Sequence, residues 1–241
     1  MTIESPQNEK LKLVRRLRER KHRDREGLFV TEGEDLLAAG LAAGERPRLL
    51  LTTPGVEIDG GDEVDPELLG SVSTLGSGTR AIAVWEQRWA EAPRPVCVYL
   101  HGVGDPGNVG TILRTADALL GGSVALGPDC ADPFSPKAVR ASMGSIFAAA
   151  PVRAEVGGTP GPRAALVAHG GEGLAALEGV ATVCLGAERD GLPAELREQC
   201  DVEVTIPLRA GGTESLNVAA AAAITCERIS SPAMREASSD A

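Results

Sequence analysis

The side chains best suited to chemistry lie in three separated fragments. Asp105-Pro106-Gly107-Asn108-Val109-Gly110 runs into Arg114-Thr115-Ala116, Leu185-Gly186-Ala187-Glu188 continues through Gly191-Leu192, and Ile206-Pro207 is followed by Ser215-Leu216-Asn217-Val218. Each joins an apolar strand to a Gly- or Pro-marked turn, the composition expected where backbone must approach a ligand closely. Asn108 and Asn217 can each donate and accept hydrogen bonds, ionised Glu188 only accepts, and Arg114 carries a permanent charge. Such groups fix nucleotide or loop geometry. Arg114 shares a helix with Ile112, Leu113 and Ala116, which mark a buried side, so a fixed charge is expected close to a core-facing surface. Taken alone, Arg114 reads as a surface ion pair with Asp117 at i+3. Ser215 reads either as part of the polar constellation or as the N-cap of the final helix, a structural role worth about 1 kcal/mol.

The elements that must position these residues alternate. From Val96 the pattern gives a strand to Leu100, a helix over about 109–120, a strand over Ser123–Leu126 and a helix over about 136–148. It continues with strands near Ala165–Ala168, Thr182–Leu185 and Val202–Ile206, a helix after Pro193, and a last helix over about 215–229. Alternation of this kind implies an α/β fold, a mostly parallel sheet with helices on both faces. Ahead of it, residues 6–20 have a helical period with a basic outer face, ended by Gly27. Leu28-Phe29-Val30 reads as a strand, a helix follows from Thr31 towards Gly44, and Arg48–Thr52 and Ala81–Trp85 read as further strands around a short helix near Pro66–Leu69. This predicts a small α/β domain over 1–90, a linker over Glu86–Pro95, a larger domain over 95–229 and a polar tail over 230–241. A dinucleotide fold is disfavoured: Gly102-Val103-Gly104 follows a strand, but the third glycine, Gly107, comes after Asp105-Pro106 and lies ahead of the expected helix start.

In order and spacing, the three fragments resemble the signature of the SpoU/TrmH family of SPOUT RNA methyltransferases. The resemblance is strong over about the last 140 residues, where Ser135-Pro136-Lys137-Ala138-Val139-Arg140-Ala141-Ser142-Met143-Gly144 is also similar to the family's connecting helix. It implies a C-terminal domain threaded into a deep trefoil knot, against the general rule that chains avoid knots. It implies S-adenosyl-L-methionine as cofactor, a ribose 2′-hydroxyl of structured RNA as target, and a homodimer with sites beside the subunit interface. On this resemblance Gly186, Gly191, Ile206 and Leu216 hold the cofactor, with Leu185 and Leu208 as apolar walls, although each apolar residue taken singly reads as core packing. Asn108, Arg114, Glu188, Ser215 and Asn217 form the catalytic set. The family mechanism makes the matching arginine a base, yet a guanidinium holds its proton far above neutral pH, so its deprotonation is costly. Orientation of the hydroxyl and a phosphate, with late proton loss, is the other role open to Arg114. The chain departs from the common family form at Ala187, where a small polar residue such as Asn is usual, and in an extra residue between Arg209 and Glu214.

Gly27–Leu37 resembles the substrate-binding domain, related to a ribosomal-protein fold, that many members carry ahead of the catalytic domain. A net charge of −10 argues at first against nucleic acid. The distribution changes that: residues 10–25 hold nine Lys or Arg against Glu19 and Asp24, a local charge of +7 that leaves −17 on the rest. Arg15, Arg16, Arg18, Lys21 and Arg23 are therefore the expected RNA contacts, against the plainer reading of a solvated helix face. Only six aromatics occur, Phe29, Trp85, Trp89, Tyr99, Phe134 and Phe147, with no stacking series. Unstructured RNA is gripped by stacked rings, so a folded RNA is expected, ribosomal RNA ahead of transfer RNA.

Composition restricts the remaining classes. No apolar run reaches the eighteen residues a membrane span needs and the N-terminus is charged, which predicts a cytoplasmic protein. Cys97, Cys130, Cys184, Cys200 and Cys226 form no C-x-x-C pair, and His22, His101 and His169 have no ligand spacing, so reduced thiols and no metal are expected. A transfer-RNA methyltransferase, and a non-catalytic RNA-binding or assembly factor of the same fold, are the alternatives. The complete polar set argues against the non-catalytic one.

Overall fold

The computed structural model describes residues 2–230 apart from 57, 59, 76, 77 and 210, so the expected tail beyond Ser230 lies outside the described residues. The chain divides into two compact units, Met1–Arg88 with Asp132–Ala148, and Trp89–Ala131 with Ala149–Ala241.

The first unit contains α1 (Glu9–Arg16), α2 (Arg20–Glu26), β1 (Leu28–Glu32), α3 (Glu34–Ala42), β2 (Leu49–Thr52), β3 (Asp62–Glu63), α4 (Pro66–Val72) and β4 (Ala81–Glu86). Its four-stranded sheet has the order β1-β4-β2-β3, antiparallel except for β2 with β3. The helix expected over 6–20 is two helices, because the chain turns at Leu17–Glu19 before Gly27 ends α2 in the left-handed region. Leu11, Val14 and Leu17 are fully buried against Leu51, Leu69 and Ile82. Burial of each such side chain stabilises by about 1.5–3 kcal/mol.

The segment from Asp132 to Ala148 packs with this unit although it lies within the 95–229 stretch. Phe134 and Phe147 stack at 5.1 and 5.7 Å from Phe29, and Phe147 meets the Trp85 ring edge at 4.8 Å. Its expected single helix over 136–148 is two, α6 (Pro136–Ser142) and α7 (Ser145–Ala148), broken where Met143 and Gly144 take positive φ. A Cβ on Gly144 would sit 2.6 Å from the Ala39 methyl, so the break leaves no room for a side chain beside α3.

The second unit is a six-stranded sheet of order β10-β8-β9-β5-β6-β7, parallel throughout. Its elements are β5 (Cys97–Leu100), α5 (Pro106–Leu120), β6 (Ser123–Leu126), β7 (Val152–Arg153), β8 (Arg163–Leu166), β9 (Thr182–Leu185), α8 (Ala194–Arg197), β10 (Val202–Val204) and α9 (Val218–Ser230). Side chains alternate across the sheet as strand geometry requires. Cys97, Tyr99, Ala125, Ala165 and Cys184 share a core with Leu192 and Leu196, and α5 and α9 pack on each other and on β6 and β9. Among the described residues no helix is long and apolar enough to cross a membrane.

Candidate active site

The site is built by helix starts and strand ends. Asp105 begins α5 three residues earlier than the pattern predicts, because its Oδ1 accepts from the N–H groups of Gly107 (2.7 Å) and Asn108 (3.1 Å) while Pro106 occupies the first helical position. Gly107 is therefore inside the helix, not ahead of it. At the other helix the cap is Asn217 and not Ser215: α9 begins at Val218, and Asn217 Oδ1 accepts from Ala219 N at 2.9 Å and Ala220 N at 3.3 Å. Ser215 is exposed and faces the cleft described below.

The two asparagines meet. Asn217 Nδ2 donates to Asn108 Oδ1 at 3.1 Å, and Asn108 Nδ2 donates to Glu188 Oε1 at 2.7 Å. One residue from each fragment thus joins a single hydrogen-bonded line, with Glu188 as the charged acceptor at its end. Glu188 stands on a tight turn closed by Ala187 N to Gly191 O (3.2 Å) and Gly191 N to Ala187 O (2.9 Å), which places Gly191 at φ 67°. A side chain at Gly186 would collide with the Gly191 and Leu192 backbone, so this turn demands glycine at both ends.

Beside the line lies a cleft of about 310 Å³ whose walls include Leu185, Gly186, Gly191, Ile206, Leu208 and Leu216, all six expected cofactor residues, together with Glu188 and Ser215. Gly186, Ile206 and Leu216 have backbone N–H and C=O groups without hydrogen-bond partners among the described residues. The cleft is also lined by Leu166, Val167, Ala168, His169 and Glu214, which the fragments do not contain. Their signal was positional: Val167–His169 follow β8, and ligands of parallel sheets bind at the carboxyl ends of strands.

Arg114 stands apart. It is exposed on α5, outside the cleft lining, with no hydrogen bond or ion pair to any described residue, including Asp117. Six residues of helix separate it from Asn108, about 9 Å along the axis and about 120° around it. The helix face that buries Val109, Ile112, Leu113 and Ala116 does not include it, so the expected core-facing charge is a solvent-facing one.

The basic segment divides. Arg16 is exposed, Arg15 donates to Pro6 O, Arg18 donates to Ser73 O and Lys21 pairs with Glu19 at 2.8 Å. Arg23 does not belong among RNA contacts: its side chain is 4 % exposed, its Nε and Nη2 donate to Asp132 Oδ2 at 2.8 and 2.6 Å, and its Nη1 donates to the carbonyls of Leu17 and Arg18. A buried guanidinium needs this full set of acceptors. Among the described residues no group of three His, Cys, Asp or Glu side chains is arranged to hold a metal.

A parallel sheet with a ligand-sized cleft at its strand ends, closed by a glycine turn and a helix start, is the arrangement of an α/β ligand-binding domain, and its likeness to known proteins makes it a methyltransferase of the SPOUT class. The fold matches the AdoMet-bound rRNA methyltransferase from Sinorhizobium meliloti with a TM-score of 0.83 at 30% identity, covering 95% of this chain and 96% of that one. The chain belongs to the SpoU rRNA Methylase family, whose pattern matches residues 95–156 and 164–227, and residues 8–89 match the MRM3-like substrate binding domain. It is 31% identical to the 23S rRNA (guanosine(2553)-2′-O)-methyltransferase of Bacillus subtilis (strain 168) over 92% of this chain and 96% of that protein. It is 35% identical to the 23S rRNA (uridine(2479)-2′-O)-methyltransferase of Streptomyces viridochromogenes over 52% of this chain and 48% of that protein.

Proposed function

We propose that this protein transfers a methyl group from S-adenosyl-L-methionine to a ribose 2′-hydroxyl in 23S ribosomal RNA. The observation that carries the reading is the hydrogen-bonded line Asn217–Asn108–Glu188 at the mouth of a cleft lined by Gly186, Ile206 and Leu216. Those three residues fit the cofactor because their unpaired backbone groups offer donors and acceptors, the Ile206 and Leu216 side chains offer dry walls, and Gly186 leaves room for close approach to an adenosine moiety. The bound cofactor supplies an electrophilic methyl group, which leaves positioning and proton removal to the protein.

Leu185, Ile206, Leu208 and Leu216 exclude water from the cleft, and Gly191 lets the Glu188 turn close over it. Asn108, fixed from both sides, and Ser215 present hydrogen-bonding groups to the target nucleotide. Arg114 orients the hydroxyl and its neighbouring phosphate, and the hydroxyl loses its proton late. Because Arg114 does not line its own cleft, this role is filled across a homodimer interface formed by α5 and α9, where Ile224 is 36% exposed. The second unit carries the trefoil knot of its class, the 8–89 domain selects the RNA, and the reaction takes place in the cytoplasm on ribosomal RNA. Two of the relatives act on 23S RNA, which favours that target over transfer RNA.

The deciding experiment maps 2′-O-methylation across ribosomal and transfer RNA from cells with and without the gene. One 23S position that loses its methyl group with the gene and regains it on complementation supports the proposal. Identical maps would remove it.

A further inference from the structure

Ser73, Thr74 and Leu75, which follow α4, are gathered by hydrogen bonds onto one carboxylate. Glu32, at the end of β1, is 8% exposed, and its carboxylate accepts from Ser73 Oγ (2.6 Å), Thr74 N (2.9 Å), Thr74 Oγ1 (2.8 Å) and Leu75 N (3.2 Å). Ser73 Oγ also shares a hydrogen bond with Thr79 Oγ1 at 2.6 Å. The loop so fixed carries Leu75 at its surface, 52% exposed. A buried carboxylate satisfied by this many donors immobilises backbone, which for a folded core would normally cover an apolar side chain, not display it.

Two arginines reach Ser73 and Thr74. Arg18 Nη2 donates to Ser73 O at 2.9 Å and Arg140 Nη1 donates to Thr74 Oγ1 at 2.8 Å, and each guanidinium has further donors beyond the one so used. Arg18 brings with it the basic segment, since α1 packs on α4. Leu75 also lines a cleft of about 360 Å³ with Gly33, Asp35, Thr79 and Arg80. Glu34 on its rim is paired with Arg80 at 3.2 Å. Asp35 repels phosphate, so an anionic backbone is favoured on the Arg18 and Arg140 side and a base, with amino hydrogens for Asp35 to accept, on the cleft side.

We propose that the Ser73–Leu75 loop is an RNA-docking surface, with Arg18 and Arg140 on backbone phosphates and Leu75 against an unstacked nucleotide that enters the neighbouring cleft. This rests on the RNA-methyltransferase reading and locates, on the 8–89 domain and α6, the surface through which substrate is selected. Leu75 and Met143 are the exposed large apolar side chains of this unit among the described residues, and Leu75 is the one whose neighbours Ser73 and Thr74 are held by two arginines.

Binding of deproteinised 23S ribosomal RNA from cells lacking the gene is measured by filter retention over a potassium chloride series, for wild type, Leu75→Ala and Arg140→Ala. Leu75→Ala is expected to bind about tenfold more weakly with an unchanged salt slope. Arg140→Ala is expected to reduce the slope by about 0.7 to 0.9, one phosphate contact. Thermal melting and S-adenosyl-L-methionine calorimetry, both at wild-type values, show that the variants fold and keep the other unit intact. Wild-type affinity and slope in both variants, with wild-type protein methylating the RNA normally, overturns the docking surface alone. Wild-type protein that neither binds nor methylates the RNA overturns both this surface and the proposed function.

Discussion

Asn217 and Asn108, 109 residues apart in sequence, face each other through a 3.1 Å hydrogen bond while each also serves a helix start. Asn217 uses its Oδ1 to cap α9 and its Nδ2 to hold Asn108, so the helix start and the hydrogen-bonded line are fixed by one side chain. That double use makes the pair more than a surface contact. Asn108→Ala and Asn217→Ala are each expected to lower kcat/KM roughly ten- to a hundredfold, with the double variant much less than multiplicative. Methyl incorporation from labelled cofactor checks this. Independent, multiplicative losses would show that the two side chains do not act as a unit.

Gly186 has no room for a methyl group against the backbone of Gly191 and Leu192. Gly186→Ala is expected to destabilise the second unit by about 1–3 kcal/mol and to abolish measurable cofactor binding. Urea denaturation and calorimetry with S-adenosyl-L-methionine test the two parts separately. Cofactor affinity within twofold of wild type would exclude Gly186 from the cleft wall.

Arg114 lies outside the cleft, so cofactor binding and turnover should separate. Arg114→Ala is expected to keep the wild-type Kd for S-adenosyl-L-methionine and lose at least about a hundredfold in kcat, with Arg114→Lys intermediate because it keeps charge but not the planar fork. Mixing Arg114→Ala with an Asn108→Ala chain should restore activity if the arginine serves the partner's site. No recovery in mixed dimers would place each arginine with its own cleft.

Arg23 and Arg16 belong to one basic run but to different physics. Arg23→Ala leaves the Asp132 carboxylate buried without its partner and is expected to cost about 3–5 kcal/mol of stability. Arg16→Ala, at an exposed position, should leave the melting temperature unchanged and lessen the salt dependence of RNA binding by about 0.7 to 0.9. Denaturation curves and salt titrations of both variants decide the matter.

The five thiols are expected to differ in reactivity. Cys200 and Cys184 have sulfurs 3.8 Å apart, and their shared hydrogen bond lowers the Cys200 thiol while raising that of Cys184. Burial pushes Cys226 up to about 12 and raises Cys97 and Cys130 as well. A lowered pKa means more thiolate at a given pH, so Cys200 should be alkylated first by iodoacetamide, from pH values below the ordinary thiol range. Peptide mapping reads the order, and prior labelling of Cys226 or Cys97 would contradict it.

Much of this protein was legible from residue order alone. The strands Ser123–Leu126 and Thr182–Leu185 fall where apolar runs end in turn residues, and the cleft residues Gly186, Ile206 and Leu216 sit in the expected fragments. Local chemistry sufficed there, because a strand end or a glycine turn is specified by its immediate neighbours. What the chain order could not carry is which partners a side chain finds at a distance. The α9 cap passed from Ser215 to Asn217, Arg23 moved from a basic surface into a buried pair with Asp132, and Arg114 turned out to face solvent. The helix expected over 136–148 broke because Ala39, about a hundred residues away, lies against Gly144. Each was settled by long-range packing, since burial and hydrogen-bond partnership depend on what the rest of the fold brings alongside a residue, and a linear pattern contains only its neighbours.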